Sequence, residues 1–251
     1  MPDANQKSVN YKTLHDFDAI LFYGIGELEL TDQQKADVLS FIKEDGKGFV
    51  GVHTAITAFY EWPEYGEMIG GYFDDHPWTI LDAPVIVEDP SFPAMKAFPK
   101  AFSARDEIYQ VRNFSRDRVR VLARLDPAKL DLRNPRVHRT DNDFAVAWAR
   151  SYGRGRVFYS TFGHTEESWD DPAMQTMWVE AIKWAMGLTN ADVTRARHPS
   201  NTATSIGNDL RGYCSVTVNL LFTQGYGASI DRLSGVLVHH WRAPGEFDNV
   251  S

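Results

Sequence analysis

The chain has 251 residues and a formal net charge of −8, from 34 acidic against 26 basic side chains. That sign opposes phosphate backbones and anionic lipid, which argues against nucleic-acid or membrane-surface binding as its main task. A single cysteine, Cys214, excludes an internal disulfide framework and any multi-cysteine zinc or iron–sulfur site.

Asp18–Tyr23 is a short apolar run closed by Gly24 and Gly26, and it reads as a buried strand. Thr31 with Gln34 three positions on is a capping box, which starts a helix at Asp32 and carries it to Glu44. Gly46 and Gly48 stop that helix, and Phe49–Val52 is a second buried strand running straight into His53. Strand, helix and strand make a right-handed βαβ unit, the building block of a parallel sheet covered by helices. From Tyr60 to Trp78 the aromatic and glycine-rich composition predicts a short helix and then a shaped loop. Val85–Val87 and the run Val119–Leu125 predict further strands. Phe144–Trp148 and Arg156–Thr161 predict an antiparallel hairpin about the tight turn Tyr152–Gly155. Pro172 opens a closing helix that reaches Met186, and Gly187 caps it.

Composition then changes. All nine lysines precede Asn190, and residues 191–251 balance five arginines against five acidic residues. The expected organisation is therefore a folded domain over 10–190 and a weakly structured or non-native tail over 191–251. No run approaches the roughly 18 apolar residues of a membrane span. The first twenty residues show no apolar core with a small-residue cleavage site, so a cytoplasmic location is expected.

Four segments could carry chemistry. His53 follows a strand at a sharp turn, where α/β proteins expose reactive side chains beside free helix N–H groups. Histidine there serves as general base or metal ligand, or simply bonds the backbone at the sheet edge. In Phe73–Trp78, Asp74, Asp75 and His76 supply acid, base or ligand groups, and Trp78 a flat face for a sugar ring. The same segment is also a plain Asx turn by composition. In Arg105–Tyr109, Asp106 and Glu107 are adjacent in extended chain, so at most one faces a given site, as orienting carboxylate or acid/base. His76, Tyr109 and Trp62 join Trp78 as candidate substrate contacts. His164 follows a strand and a glycine, in the same topological position as His53.

His53, His76 and His164 form the candidate metal set, for zinc or iron, although their spacing matches no short ligand motif. A Gly-x-Ser-x-Gly elbow, a P-loop and a dinucleotide fingerprint are all absent, since Gly24-Ile-Gly26 lacks a third glycine.

Six blocks resemble one family in order and in register: DFDAILFYGIGELELTDQQ, GKGFVGVHTA, YGEMIGGYFDDHPW, DEIYQ, FAVAWARSYGRGRVFYSTFGHTEESWDDPAMQ and AIKWAMG. They are similar to ThuA-like (trehalose-utilisation) proteins over residues 10–190. The resemblance implies a flavodoxin-like, class I glutamine amidotransferase-like α/β three-layer sandwich with a mainly parallel sheet. It also implies a role in metabolism of trehalose or related keto-glycosides, on a small sugar or glycoside, with homo-oligomerisation open. In amidotransferases of this fold the elbow residue is cysteine; here it is His53, so thioester chemistry is not expected. Family members begin with an additional βα unit whose strand is central, and this sequence starts about one such unit later. The reading that follows is His53 and His164 as acid/base or ligand groups, Asp106 or Glu107 assisting, and the Trp62–Trp78 segment as the sugar-facing wall. Its rival is a sugar-binding or interaction module without catalysis.

Overall fold

The computed structural model describes residues 10–193 and the backbone of two later strands, Leu220–Gln224 and Val238–Arg242. The rest of the 191–251 segment, Cys214 included, lies outside the described residues. In chain order the strands are β1 (Ala19–Phe22), β2 (Gly48–Val52), β3 (Tyr72–Asp75), β4 (Ile80–Val87), β5 (Ala101–Glu107) and β6 (Gln110–Arg112). They continue as β7 (Arg120–Leu125), β8 (Ala145–Tyr152), β9 (Gly155–Ser160), β10 (Leu220–Gln224) and β11 (Val238–Arg242). The helices are α1 (Tyr11–Leu14), α2 (Asp32–Lys43), α3 (Pro63–Ile69), α4 (Glu166–Asp170) and α5 (Pro172–Ala185).

The capping box forms as expected. Thr31 Oγ1 accepts from the Gln34 amide, and the Gln34 side chain accepts from the Thr31 amide in return. α2 then carries the chain from β1 to its parallel neighbour β2, in register Ala19↔Gly48 to Phe22↔Gly51. Both faces of β1 are buried, with alternate residues serving opposite cores. Ala19 and Leu21 pack with Met177, Trp178 and Ala181 of α5, whereas Ile20 and Phe22 pack with Val38 and Phe41 of α2 and Tyr65 of α3. Helices thus cover the sheet on both sides, and each fully buried Leu or Phe contributes about 1.5–3 kcal/mol. At Gly48 a Cβ would lie 2.8 Å from the Ala185 carbonyl carbon. The end of α5 can therefore rest on β2 only because that residue is glycine.

The main sheet has the order β11-β10-β1-β2-β9-β8-β7-β4-β5. β1 has a parallel partner on either side, β2 and β10, so it is an interior strand. The expectation of a mainly parallel sheet is corrected here. Pairing is parallel from β11 to β9 and antiparallel at every step from β9 to β5. The physical reason lies between β3 and β9, where the chain makes only two 3-10 turns, Pro93–Met95 and Pro127–Lys129, and no crossover helix. A parallel return needs such a crossover. The hairpin at Tyr152–Gly155 forms as expected, turning through Gly153 at φ 58°. The strand expected at Val85–Val87 is longer, Ile80–Val87, and β5, not foreseen, pairs with it along seven residues. β3 and β6 form a separate two-stranded antiparallel ribbon.

The sheet also curls. β5 stands five places from β2 in the strand order, yet Glu107 at its end lies 3.5 Å from His53 at the end of β2. The antiparallel wing therefore folds back over the carboxyl edge of the parallel centre.

Candidate functional site

His53 leaves β2 at φ 42°, a left-handed conformation that β2 and the following 3-10 turn impose on a non-glycine residue. Such outliers cost of order 1–3 kcal/mol and persist only where the surroundings hold them. Its carbonyl oxygen accepts from Tyr159 Oη at 2.8 Å, and its ring is fully buried. Because β2 and β9 run parallel in register Val52↔Ser160, the ring comes opposite Thr161. Nδ1 lies 2.6 Å from the Thr161 carbonyl, which can only accept, so Nδ1 carries the proton and Nε2 is left as the acceptor.

Three groups converge on that nitrogen. Tyr109 Oη is 2.7 Å away, His164 Nδ1 3.1 Å and Glu107 Oε2 3.5 Å. His164 Nδ1 lies 3.5 Å from the same Glu107 oxygen, and His76 Nδ1 lies 3.2 Å from the other, Oε1. Burial pushes the Glu107 carboxyl up, but contact with His53, His164 and His76 outweighs it and holds it below the usual carboxylate range. Tyr109, stacked on His53 at 4.3 Å, is pushed far up, first by burial and then by Tyr159 and Glu107. Tyr23 is pushed up to about 12 by burial, then by Asp106 and Glu107. Both phenols therefore stay protonated donors at neutral pH.

Asp106 and Glu107 divide as alternation in a strand requires. Glu107 enters the cluster. Asp106 is fully buried and accepts from four backbone N–H groups: Glu107 at 2.9 Å, Gly163 at 2.7 Å, His164 at 3.0 Å and Thr165 at 3.1 Å. The Asp106 carboxylate is thus a clamp that fastens the His164 loop to the end of β5. Gly163 makes the turn at φ 116°, and a Cβ there would meet Val52 Cγ1 at 2.9 Å.

The remaining expected residues are placed as follows. His76 reaches the cluster through Glu107 and is flanked by Arg136, whose guanidinium grips Asp75. Asp74 bonds His138 Nδ1 at 2.9 Å. Trp78 packs edge-on against Phe144 at 5.0 Å, and its Nε1 donates to the Asp131 carbonyl. Trp62 is buried between Phe59 and Tyr65, at 5.3 and 5.6 Å, so its ring belongs to the core beneath α3 and presents no face to a ligand. Thr161, Tyr23 and Tyr159 hold the site but were not singled out from the sequence. The one signal for Thr161 was its place directly after a strand that could run beside β2.

Side-chain exposure runs from 0% at His53 through 14% at Glu107 to 32% at His76 and 41% at His164. A small molecule arriving from solvent therefore meets His164 and His76, then Glu107, with His53 behind them. His53, Glu107 and His164 are also a group able to hold a metal ion, their donor atoms all within 4.8 Å of one another. No helix among the described residues is long and apolar enough to cross a membrane.

Fold and site together define an α/β protein with a mixed, curled sheet and a histidine–carboxylate–tyrosine cluster at the carboxyl edge of its parallel centre. The family model for ThuA, trehalose utilisation, matches residues 2–185, and the chain belongs to that family. Among solved structures it is similar to a protein described as ThuA-like from Bacteroides uniformis ATCC 8492, at 25% identity and a TM-score of 0.59 over 73% of this chain and 75% of that one. A second, described as ThuA-like from Parabacteroides merdae ATCC 43184, shares the fold at 18% identity and a TM-score of 0.54, over 74% and 75% of the two chains. No curated protein matches the sequence.

Proposed function

We propose that the protein converts a sugar of the trehalose or keto-glycoside class by proton transfer at the His164–His53–Glu107 cluster, in the cytoplasm and on a flavodoxin-like, amidotransferase-like scaffold. The observation that carries this reading is the order of the two imidazoles. The Thr161 carbonyl fixes the proton of His53 on Nδ1, and with the Tyr109 hydroxyl donating to Glu107 the one lone pair of His53 Nε2 accepts from His164 Nδ1 at 3.1 Å. Each ring is thereby held in the Nδ1–H form, and the basic Nε2 of the half-exposed His164 is left for substrate. The logic is that of a triad, in which a buried partner sets the tautomer of the group that does the work.

With a keto-glycoside, His164 Nε2 takes the proton from the carbon beside the keto group. The glycosidic oxygen on the next carbon then leaves, taking a proton from the imidazolium. Glu107, ionised between three histidines, stabilises that imidazolium, and Tyr109 donates toward the same carboxylate. General acid–base steps of this kind contribute about 10²–10⁴-fold. The family match supports the sugar class, and His53 at the elbow, where amidotransferases carry cysteine, supports a chemistry other than glutamine hydrolysis.

The test is incubation of the full chain with trehalose and with 3-keto-glycosides, followed by mass spectrometry of the products. Sugar conversion that falls about 10²–10⁴-fold in His164→Ala is the expected result. Stoichiometric binding by calorimetry without product would overturn catalysis in favour of a sugar-binding module.

A further inference from the structure

We propose that His53 Nε2, His164 Nδ1 and Glu107 Oε2 form a binding site for one divalent transition-metal ion, zinc or iron(II). The inference deepens the reading above and rests on it only for what the ion would do, not for whether it binds.

The donor spacing carries the proposal. The three atoms stand 3.1, 3.5 and 3.5 Å apart. Ligands about 2.0–2.1 Å from one ion are separated by about 2.9 Å at a right angle and about 3.4 Å at the tetrahedral angle. A triangle with the observed sides has a circumradius of about 2.0 Å, so one ion can reach all three donors at ordinary bond lengths. The donor types agree, because two imidazoles and one carboxylate with open positions are the set used by catalytic zinc and by non-haem iron.

The groups behind the donors agree as well. A ligating imidazole usually gives its other N–H to a carbonyl or carboxylate, and His53 gives Nδ1–H to the Thr161 carbonyl at 2.6 Å. The free oxygen of Glu107 faces His76 Nδ1 at 3.2 Å. His164 is held by its backbone through the Asp106 clamp. The three donors come from the ends of β2 and β5 and from the loop after β9, so the triangle is fixed by the sheet. His76, considered with the metal set on sequence grounds, stands on the far oxygen of Glu107 and serves as an outer partner.

Two consequences follow for the surrounding groups. The Tyr109 hydroxyl, 2.7 Å from His53 Nε2, yields that nitrogen to the ion and keeps Glu107 as its acceptor. His164, 41% exposed, marks the open side, where a water or a sugar oxygen completes the coordination. In that state the cation would take the place of the His164 Nδ1 proton, His164 would carry its proton on Nε2, and an oxygen polarised by the ion would serve as the base in place of that nitrogen.

The test is a Co²⁺ titration of the full chain after chelator treatment, read by visible d–d absorption, with Zn²⁺ as competitor. One equivalent per chain, displaced by Zn²⁺, is expected. His164→Ala and Glu107→Gln should each weaken it at least about tenfold, with circular-dichroism melts showing that both variants fold. Absence of the bands, or Co²⁺ binding unchanged in both variants, would overturn the site. If no ion binds while sugar turnover persists, this proposal fails and the proton relay stands. If an ion binds and no glycoside is converted, the sugar reading fails and the metal site stands.

Discussion

The parallel centre and the antiparallel wing of the sheet solve the same burial problem in different ways. β1, β2 and β9 are sandwiched between helices on both faces, with α2 linking β1 to β2 and β9 pairing parallel beside β2. β5, at the far end of the wing, is paired on one side only, and most of its residues are partly or fully exposed along its length until Asp106. Yet the wing supplies the carboxylate and the centre supplies two of the imidazoles. The cluster exists only because the curl brings the end of β5 onto the carboxyl edge of β2 and β9. A rigid centre thus presents the histidines, and a single buried carboxylate, Asp106, docks the wing against them.

Breaking that docking should have the largest effect on stability. Asp106→Ala leaves four backbone N–H groups without their acceptor, at a cost of about 3 kcal/mol or more. For a domain of this size the thermal midpoint should fall by about 6–12 °C, measured by calorimetry. Striking the centre alone should cost less. Gly48→Ala drives a methyl group against the Ala185 backbone at 2.8–2.9 Å and should destabilise by about 1–3 kcal/mol in urea unfolding. Striking the wing alone should cost least. Arg105 and Asp82 pair across β5 and β4 at 3.5 Å with both side chains mostly exposed, so Arg105→Ala should stay within about 0.5 kcal/mol in the same assay. A large effect from Arg105→Ala, or a negligible one from Asp106→Ala, would break the contrast between docked end and free edge.

The same contrast explains what the sequence revealed. The centre was legible because continuous apolar runs, a capping box and a glycine-flanked hairpin are local signals. Asp18–Tyr23, Thr31 with Gln34, and Tyr152–Gly155 all formed the elements their patterns predict. The placement of His53 and His164 at strand ends followed from those strands. The wing was not legible, because β5 reads AFSARDE, a mixed stretch whose pairing with β4 is set by tertiary contact rather than by its own pattern. Alternation did limit Asp106 and Glu107 to opposite directions, but which one faced the histidines depended on a curl that no local signal encodes. Trp62 shows the converse. Its aromatic neighbours suggested a ligand wall, whereas Phe59 and Tyr65 enclose it in the core.

The central claim is that one carboxylate from the wing joins two imidazoles from the centre in a single electrostatic unit. Long-range ¹H–¹⁵N spectra of the imidazole rings in the wild-type chain and in Glu107→Gln test it without any assumption about substrate. The account predicts His53 as the Nδ1–H form, with the nitrogen signals of His53, His164 and His76 all moving when Glu107 loses its charge. An Nε2–H form of His53, or imidazole signals indifferent to Glu107→Gln, would contradict it.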